Sequence, residues 1–171
     1  RDTILYAIAN FGSSALAFLM LPLYTRYFSP EEYGTWDLFV TTITLLVPFI
    51  TFELTAATYR WLLDQTFDSK KTIISTGFFQ LMRHAIVFNT IAIAVFLFIN
   101  FSYQWEALLF INTMMISSFI LQCARGLQRN KLFASLGIMQ TAIIVGLNLI
   151  FILVFHLGIE ALFFANILAG A

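Results

Sequence analysis

Several long apolar runs, each sufficient to cross a lipid bilayer, constrain the fold of this chain more than any other feature. Segments such as "AIAVFLFI" and "NLIFILVF" belong to runs of about 20 residues, the length that spans a hydrocarbon core roughly 30 Å thick. The chain is 60% hydrophobic and 11% charged, whereas an ordinary soluble domain has about 25% charged residues. A soluble domain of 171 residues is too small to enclose so much apolar surface. The sequence therefore predicts an integral membrane protein.

The apolar runs predict helices and not barrel strands. Strands of a membrane barrel alternate over about ten residues, and these runs do not alternate. We predict an all-α, polytopic transmembrane bundle with five complete spans and the start of a sixth. The expected spans are Thr3–Tyr24, Trp36–Tyr59, Thr72–Ile99, Glu106–Gly126, Leu132–Phe155 and Ile159 to the end. The chain, 1–171, is interpreted as one transmembrane domain that is a fragment truncated at both ends, because it begins without Met and stops inside an apolar run.

The basic residues predict an orientation. Short connections make neighbouring helices antiparallel, and cytoplasmic connections carry an excess of Lys and Arg. One side of the predicted bundle holds seven such residues: Arg1, Arg60, Lys70, Lys71, Arg125, Arg129 and Lys131. The other side holds Arg26 alone. The N-terminus should therefore be cytoplasmic, and the connection around Arg26 should lie outside.

Polar residues recur along one face of the second predicted span. Spacings of four and three residues place seven of them on one side of a helix: Asp37, Thr41, Thr44, Pro48, Thr51, Thr55 and Thr58. Lipid offers no partner for a hydroxyl, so this face should meet other helices or a water-filled cavity. Helix packing and a hydrated wall that contacts substrate both stay open. Pro48 lacks an N–H and should bend the helix.

Two other predicted spans carry shorter polar faces. In the first, Asn10 and Ser14 share one side with Ala7 and Ala17. The fifth has a similar series: Gly137, Thr141, Ile144 and Asn148. Either face is explained by packing of small residues between helices or by contact with substrate.

Charged residues also occur within the predicted spans. Glu53 and Arg60 are seven residues apart and so share one side of a helix. Arg83 lies deep in the third span, where an arginine costs roughly 2.5–3.5 kcal/mol at the bilayer centre and should have an acidic partner. Glu53 is the candidate partner. A structural ion pair, a substrate contact and an interfacial Arg83 that reaches the head groups all stay open.

Nothing in the sequence predicts an enzyme. Cys123 is the single cysteine, which excludes an internal disulfide framework, and no Cys/His spacing suggests a metal site. There is no Gly-rich phosphate loop, no Ser/His/Asp pattern and no pair of carboxylates on one face. We expect no catalytic residues, no metal, no cofactor and no nucleic-acid partner.

The first connection has the form of a helix start. Ser29 is a typical N-cap, Pro30 suits the first helical position, and Glu31 and Glu32 place acids in the first turn. The surrounding stretch, "LPLYTRYFSPEEYGTWDLF", resembles the first outer connection of bacterial Wzx-type oligosaccharide flippases. Those polysaccharide-biosynthesis membrane proteins belong to the multidrug/oligosaccharidyl-lipid/polysaccharide exporter superfamily. Further similar stretches are "ATYRWLLD", "CARGLQRNKLFASLGIMQT" and "FHLGIEALFFANILAG", so the resemblance covers the whole chain.

The resemblance implies both a fold and a function. The chain would form the N-terminal lobe of a two-lobed transporter in the bacterial inner membrane. That transporter would flip undecaprenyl-pyrophosphate-linked repeat units for lipopolysaccharide O-antigen, capsule or exopolysaccharide. Arg26 and Arg60 match family arginines and would bind the pyrophosphate. Cavity residues of the first two helices would contact the sugars: Asn10, Ser14, Thr41, Thr44, Thr51 and Thr55.

The resemblance also implies binding partners, and it leaves alternative functions open. The partners would be the lipid bilayer, the lipid-linked glycan, and candidate polymerase and chain-length proteins of the same pathway. Coupling to H⁺ or to Na⁺ stays open. A cation-coupled multidrug exporter of the same superfamily is the main alternative, since Glu53 and the many Phe residues are compatible with it. A membrane-embedded polymerase or ligase is a further alternative, but it would need a longer outer loop than this sequence has.

Overall fold

The computed structural model describes residues 18, 20–63, 65 and 67–170. Regular structure in this part of the chain is entirely α-helical, which confirms the predicted fold class. Helix α1 is described over residues 20–27. The helices that follow are α2 Pro30–Thr51, α3 Leu54–Leu63, α4 Phe67–Phe96, α5 Gln104–Gly126, α6 Asn130–Leu153 and α7 Glu160–Gly170.

Four of these helices are long and apolar enough to cross a membrane. They are Pro30–Thr51, Ser69–Phe96, Gln104–Gly126 and Asn130–Leu153. The last three agree within a few residues with the third, fourth and fifth predicted spans. Helix α7 is a shorter apolar helix of 11 residues that begins one residue after the predicted start of the sixth span. Most of the first predicted span lies outside the described residues.

Helix α2 begins with the cap that the sequence predicted. The Ser29 Oγ accepts a hydrogen bond from the Glu32 N–H at 3.2 Å, and the Ser29 N–H donates to Glu32 Oε2 at 2.8 Å. This reciprocal capping box satisfies two backbone donors at the helix start and places Pro30 at the first helical position. The helix therefore starts at Pro30, six residues before the predicted span at Trp36, because the capping turn is continuous with it.

The second predicted span is not one helix. Helix α2 ends at Thr51, where the Phe52 N–H donates to Phe49 O at 3.3 Å and the Glu53 N–H donates to Pro48 O at 3.1 Å. These two bonds form a Schellman motif, which ends a helix by turning the next residue into the left-handed region. Phe52 and Glu53 both have positive φ, 49° and 55°. Pro48 itself stays inside α2, so the interruption follows the proline.

The described residues form two compact units, each with its own packing. One comprises the described residues up to Thr42 together with those from Asn130 onwards. Its core contains Phe28, Ile152, Ala161 and Leu162. Aromatic contacts add to this core. The rings of Trp36 and Phe39 pack edge-on against the Phe163 ring, with centroid distances of 4.9 and 5.3 Å.

The second unit, Ile43–Arg129, packs the short helix α3 against α4 and α5. Leu62, Leu81 and Met115 are fully buried there. Gly126 lets α5 approach α3 closely, since a Cβ at this position would lie 2.8 Å from the Leu62 Cβ. Close backbone approach at small residues is the usual way in which helices associate in lipid. The unit therefore holds α3 by tight packing directly after the break in the chain.

Candidate substrate-binding residues

The predicted column of hydroxyls is divided by the helix break. Thr41 and Thr44 lie on α2 and are exposed, whereas Thr51 at the end of α2 and Thr55 on α3 are buried. The Thr51 hydroxyl donates to Val47 O at 2.9 Å, and the Thr58 hydroxyl donates to Leu54 O at 2.8 Å. Such bonds satisfy a hydroxyl within its own helix. The expectation of one continuous helical face is wrong, because the break reorients the chain between Thr51 and Thr55.

A pocket of about 530 Å³ opens beside the break. The described residues that line it are Thr44, Leu45, Pro48, Phe49, Phe52 and Glu53. It contains one carboxylate, and no cationic side chain is among these residues. The Phe52 ring also meets the His84 ring of α4 edge-on at 5.5 Å, which holds one wall of the pocket against α4.

Interrupted helices in membrane transporters place backbone dipoles and polar side chains at a binding site in the middle of the bilayer. The break between α2 and α3 likewise places backbone groups and the Glu53 carboxylate beside a pocket, at the end of a helix that is itself long enough to cross a membrane. Two non-glycine residues with left-handed backbone, Phe52 and Glu53, stand next to each other on the pocket wall. Such conformations cost energy in residues other than glycine, and here they belong to the Schellman turn that ends α2.

The arginines predicted to bind pyrophosphate are both exposed. Arg26 lies at the end of α1 and Arg60 lies on α3, close to its C-terminal end. Among the residues that the structure describes, neither arginine forms an ion pair with an acidic side chain. Each guanidinium is therefore available to an anion from outside the described part of the chain.

The expected ion pair between Glu53 and Arg83 does not form within the described chain. Both side chains are exposed, and no hydrogen bond or ion pair joins them. Glu53 occupies the turn between α2 and α3, so the helical face that it was predicted to share with Arg60 is also interrupted. Arg83 lies near the middle of the apolar helix Ser69–Phe96 and is the deepest of these cations in a span.

Two polar contacts between helices were not predicted from the sequence. Asn89 on α4 and Asn112 on α5 exchange side-chain hydrogen bonds. The fully buried Asn148 donates to the Tyr24 hydroxyl at 2.8 Å, which favours the packing interpretation for this residue of the fifth predicted span. Polar residues inside apolar runs are a signal of such contacts, but the partner depends on the register between helices.

Other predicted site residues have simpler outcomes. Asn10 and Ser14 lie outside the described residues, so their role as cavity residues stays a prediction. No group of three or more His, Cys, Asp or Glu side chains that could hold a metal ion occurs in the part of the chain that the structure describes. Cys123 is buried and free.

These features define a class: a multi-pass helical membrane protein with polar and charged groups placed along its spans. Comparison with protein families agrees, because residues 1–171 match the family described as polysaccharide biosynthesis protein. The chain belongs to this family, which includes the Wzx-type flippases and other polysaccharide-biosynthesis membrane proteins. Its members are mostly transporters and not enzymes. Comparisons with curated proteins and with solved structures found no match.

Proposed function

We propose that this chain is part of a flippase for lipid-linked oligosaccharides in the bacterial inner membrane. The substrate would be an undecaprenyl-pyrophosphate-linked repeat unit, moved from the cytoplasmic to the outer leaflet for O-antigen, capsule or exopolysaccharide synthesis. The observation that carries the proposal is the family match over residues 1–171. The long apolar helices support it, since such a substrate is reached only from within the membrane.

The two exposed arginines supply the anion-binding chemistry that this substrate needs. A pyrophosphate carries several oxygen acceptors, and the planar guanidinium group makes paired hydrogen bonds to such oxygens. Arg26 and Arg60 lack acidic partners within the described residues, so a pyrophosphate bound at either arginine would complete the hydrogen bonding of that guanidinium. We propose both as pyrophosphate-binding residues.

One observation favours a second candidate, a cation-coupled multidrug exporter. The pocket beside the helix break combines the Glu53 carboxylate with Phe49 and Phe52. A carboxylate next to aromatic rings also suits an organic cation. We prefer the flippase because the family description refers to polysaccharide biosynthesis and because the exposed arginines would repel a cation.

A transport assay in reconstituted vesicles tests the proposed flippase activity. The full-length protein is reconstituted with a fluorescent undecaprenyl-pyrophosphate-linked oligosaccharide, and the rate at which the probe becomes accessible to an external quencher is measured. Protein-dependent translocation, compared with protein-free vesicles, is the expected result. Absence of translocation with substrate and driving ion both varied, together with export of a cationic dye such as ethidium, would replace the flippase with the exporter.

A further inference from the structure

The pocket beside the helix break has the wrong charge for a phosphate group. Its described lining includes the Glu53 carboxylate and no Lys or Arg. The C-terminal end of α2 points into the same turn and contributes partial negative charge from its backbone carbonyls. A pyrophosphate in this pocket would be repelled, so a ligand group that binds there would be uncharged or cationic.

The aromatic side chains of the pocket are largely uncovered. Phe49, in the last turn of α2, and Phe52, just after it, are 76% and 81% exposed, and both line the pocket. An aromatic ring carries negative charge density on its faces and attracts polarised C–H groups packed flat against it. The pyranose rings of sugars present such C–H groups on one face and hydroxyls around their edge. Two accessible rings beside a carboxylate therefore match the two surfaces of a sugar.

The Glu53 carboxylate supplies the complementary polar contact. An ionised carboxylate only accepts hydrogen bonds and has about four acceptor sites, so it binds two neighbouring hydroxyl donors well. Glu53 forms no ion pair within the described chain, and the pocket wall around it is otherwise apolar apart from Thr44. Apolar walls with a few placed polar groups are typical of pockets that bind small organic molecules.

The backbone holds this arrangement at an energetic cost. Phe52 and Glu53 both adopt left-handed φ, which costs roughly 1–2 kcal/mol per residue outside glycine. Gly would occupy these positions without strain, yet the chain has a ring and a carboxylate there. The packing of α3 against α4 and α5 holds this turn in place, so Phe52 and Glu53 stay fixed beside the pocket.

We propose that the pocket lined by Phe49, Phe52 and Glu53 binds the sugar portion of the lipid-linked substrate. Glu53 accepts hydrogen bonds from neighbouring sugar hydroxyls, and the two rings pack against the C–H face. This assignment rests on the proposed function and adds a sugar subsite that is distinct from the arginines. Arg60 lies on α3 six residues after Leu54, the first residue of that helix, which corresponds to roughly 9 Å of helix rise. The pyrophosphate and the attached sugar would therefore bind to different residues of one unit.

Binding to two probes tests the sugar subsite. The full-length protein in lipid nanodiscs is titrated with the lipid-linked oligosaccharide extracted from its host cells and with undecaprenyl pyrophosphate that carries no sugar. Glu53→Gln should raise the Kd of the sugar-bearing probe about tenfold or more, since hydrogen bonds to a charged group are lost, and should leave the sugar-free probe unchanged. Phe49→Leu, which removes a ring but keeps an apolar side chain, should weaken the same probe selectively.

Matched variants control for charge and for ring removal. Glu31→Gln removes an exposed acid in the first turn of α2, and Phe98→Leu removes a ring that is 88% exposed just after α4. Both should leave the two Kd values unchanged. Size-exclusion elution and helical circular dichroism of each variant establish that the fold is retained.

The outcomes separate this inference from the proposed function. If the unaltered protein binds neither probe, the proposed function fails before any variant is made. Binding of both probes with no change in Glu53→Gln, or with equal weakening of both probes, overturns the sugar subsite and leaves the flippase proposal standing. Loss of ethidium binding in Glu53→Gln with unchanged oligosaccharide binding would assign the pocket to an organic cation and also overturn it.

Discussion

Asn89 of α4 and Asn112 of α5 form a reciprocal amide pair between two membrane-spanning helices. The Asn89 Nδ2 donates to Asn112 Oδ1 at 2.8 Å, and the Asn112 Nδ2 donates to Asn89 Oδ1 at 2.9 Å. Each amide also donates to the carbonyl four residues earlier in its own helix, Ala85 or Leu108. Both amide groups are therefore fully used, which makes this pair a structural link and not a free binding group.

Removing one member of the pair should destabilise the protein. Asn112→Leu leaves the Asn89 amide without its partner, and we expect a loss of about 1–2 kcal/mol in the free energy of unfolding. The double variant Asn89→Leu/Asn112→Leu should lose less than the sum of the single variants, because no amide is left unpaired. Unfolding of the full-length protein by sodium dodecyl sulfate in mixed micelles measures all three. Additive losses would mean that the two side chains act independently.

A methyl group at Gly126 should separate α3 from α5. Its Cβ would lie 2.8 and 2.9 Å from two carbons of Leu62 and 3.2 Å from the Tyr59 carbonyl oxygen. We expect Gly126→Ala to lower the free energy of unfolding by about 1–3 kcal/mol, as overpacking does. Gly137→Ala is the matched control, since nothing lies within 4 Å of its added Cβ and alanine is the better helix former. Equal effects in the same detergent titration would contradict the close approach.

Glycine at position 128 should stabilise the end of α5. Gln128 has a φ of 56°, and it is the left-handed residue of a Schellman motif in which the Gln128 N–H donates to Arg125 O and the Arg129 N–H donates to Ala124 O. Gln128→Gly removes the steric cost of the left-handed conformation and should add about 1 kcal/mol to stability. Gln128→Val should act in the opposite direction, because a β-branched residue tolerates this region poorly. The order Gly, Gln, Val in unfolding midpoint is the expected result.

The proposed pyrophosphate-binding arginines predict a transport defect without a folding defect. Arg26→Ala and Arg60→Ala should each slow translocation about tenfold or more, since each loses charge-assisted hydrogen bonds to the substrate. Arg129→Ala in the connection between α5 and α6 is the control with the same change of charge. Quencher accessibility in vesicles measures the rate, and membrane-fraction yield checks insertion. Normal rates in both variants would remove the arginines from the site.

The predicted orientation can be measured by labelling. In a Cys123→Ala background, Glu31→Cys should react with a membrane-impermeant maleimide added to intact cells, whereas Lys71→Cys should react only after the membrane is opened. The expectation follows from the excess of Lys and Arg on the predicted cytoplasmic side. The reverse pattern would place the N-terminus outside.

Much of the fold was predictable because the signals are local. The spans α4, α5 and α6 follow from apolar runs of sufficient length, and this property is contained in each window of residues. The start of α2 follows from Ser29 and Glu32, three residues apart, whose groups bond to each other. The family resemblance, confirmed by the match over residues 1–171, was also carried by short stretches of sequence.

The interruption between α2 and α3 was decided by tertiary structure. No glycine or proline stands at Phe52 or Glu53, so nothing in the local sequence indicates left-handed backbone there. The short helix α3 instead packs against α4 and α5, and Leu62 of α3 is fully buried there. The packing is close, since a Cβ added at Gly77 of α4 would lie 3.0 Å from the Thr58 Oγ1. This packing offsets the backbone strain. The candidate Glu53–Arg83 pair does not form within the described chain, where Glu53 lies in the turn between α2 and α3.

The sequence by itself thus determined that the chain is helical, membrane-spanning and a member of its family, because hydrophobic length, end caps and short motifs act within one segment. Only the tertiary structure decided which polar groups meet. Asn89 and Asn112 are 23 residues apart, and Asn148 and Tyr24 are 124 residues apart. Contacts at such separations depend on the register between helices, which no local pattern encodes.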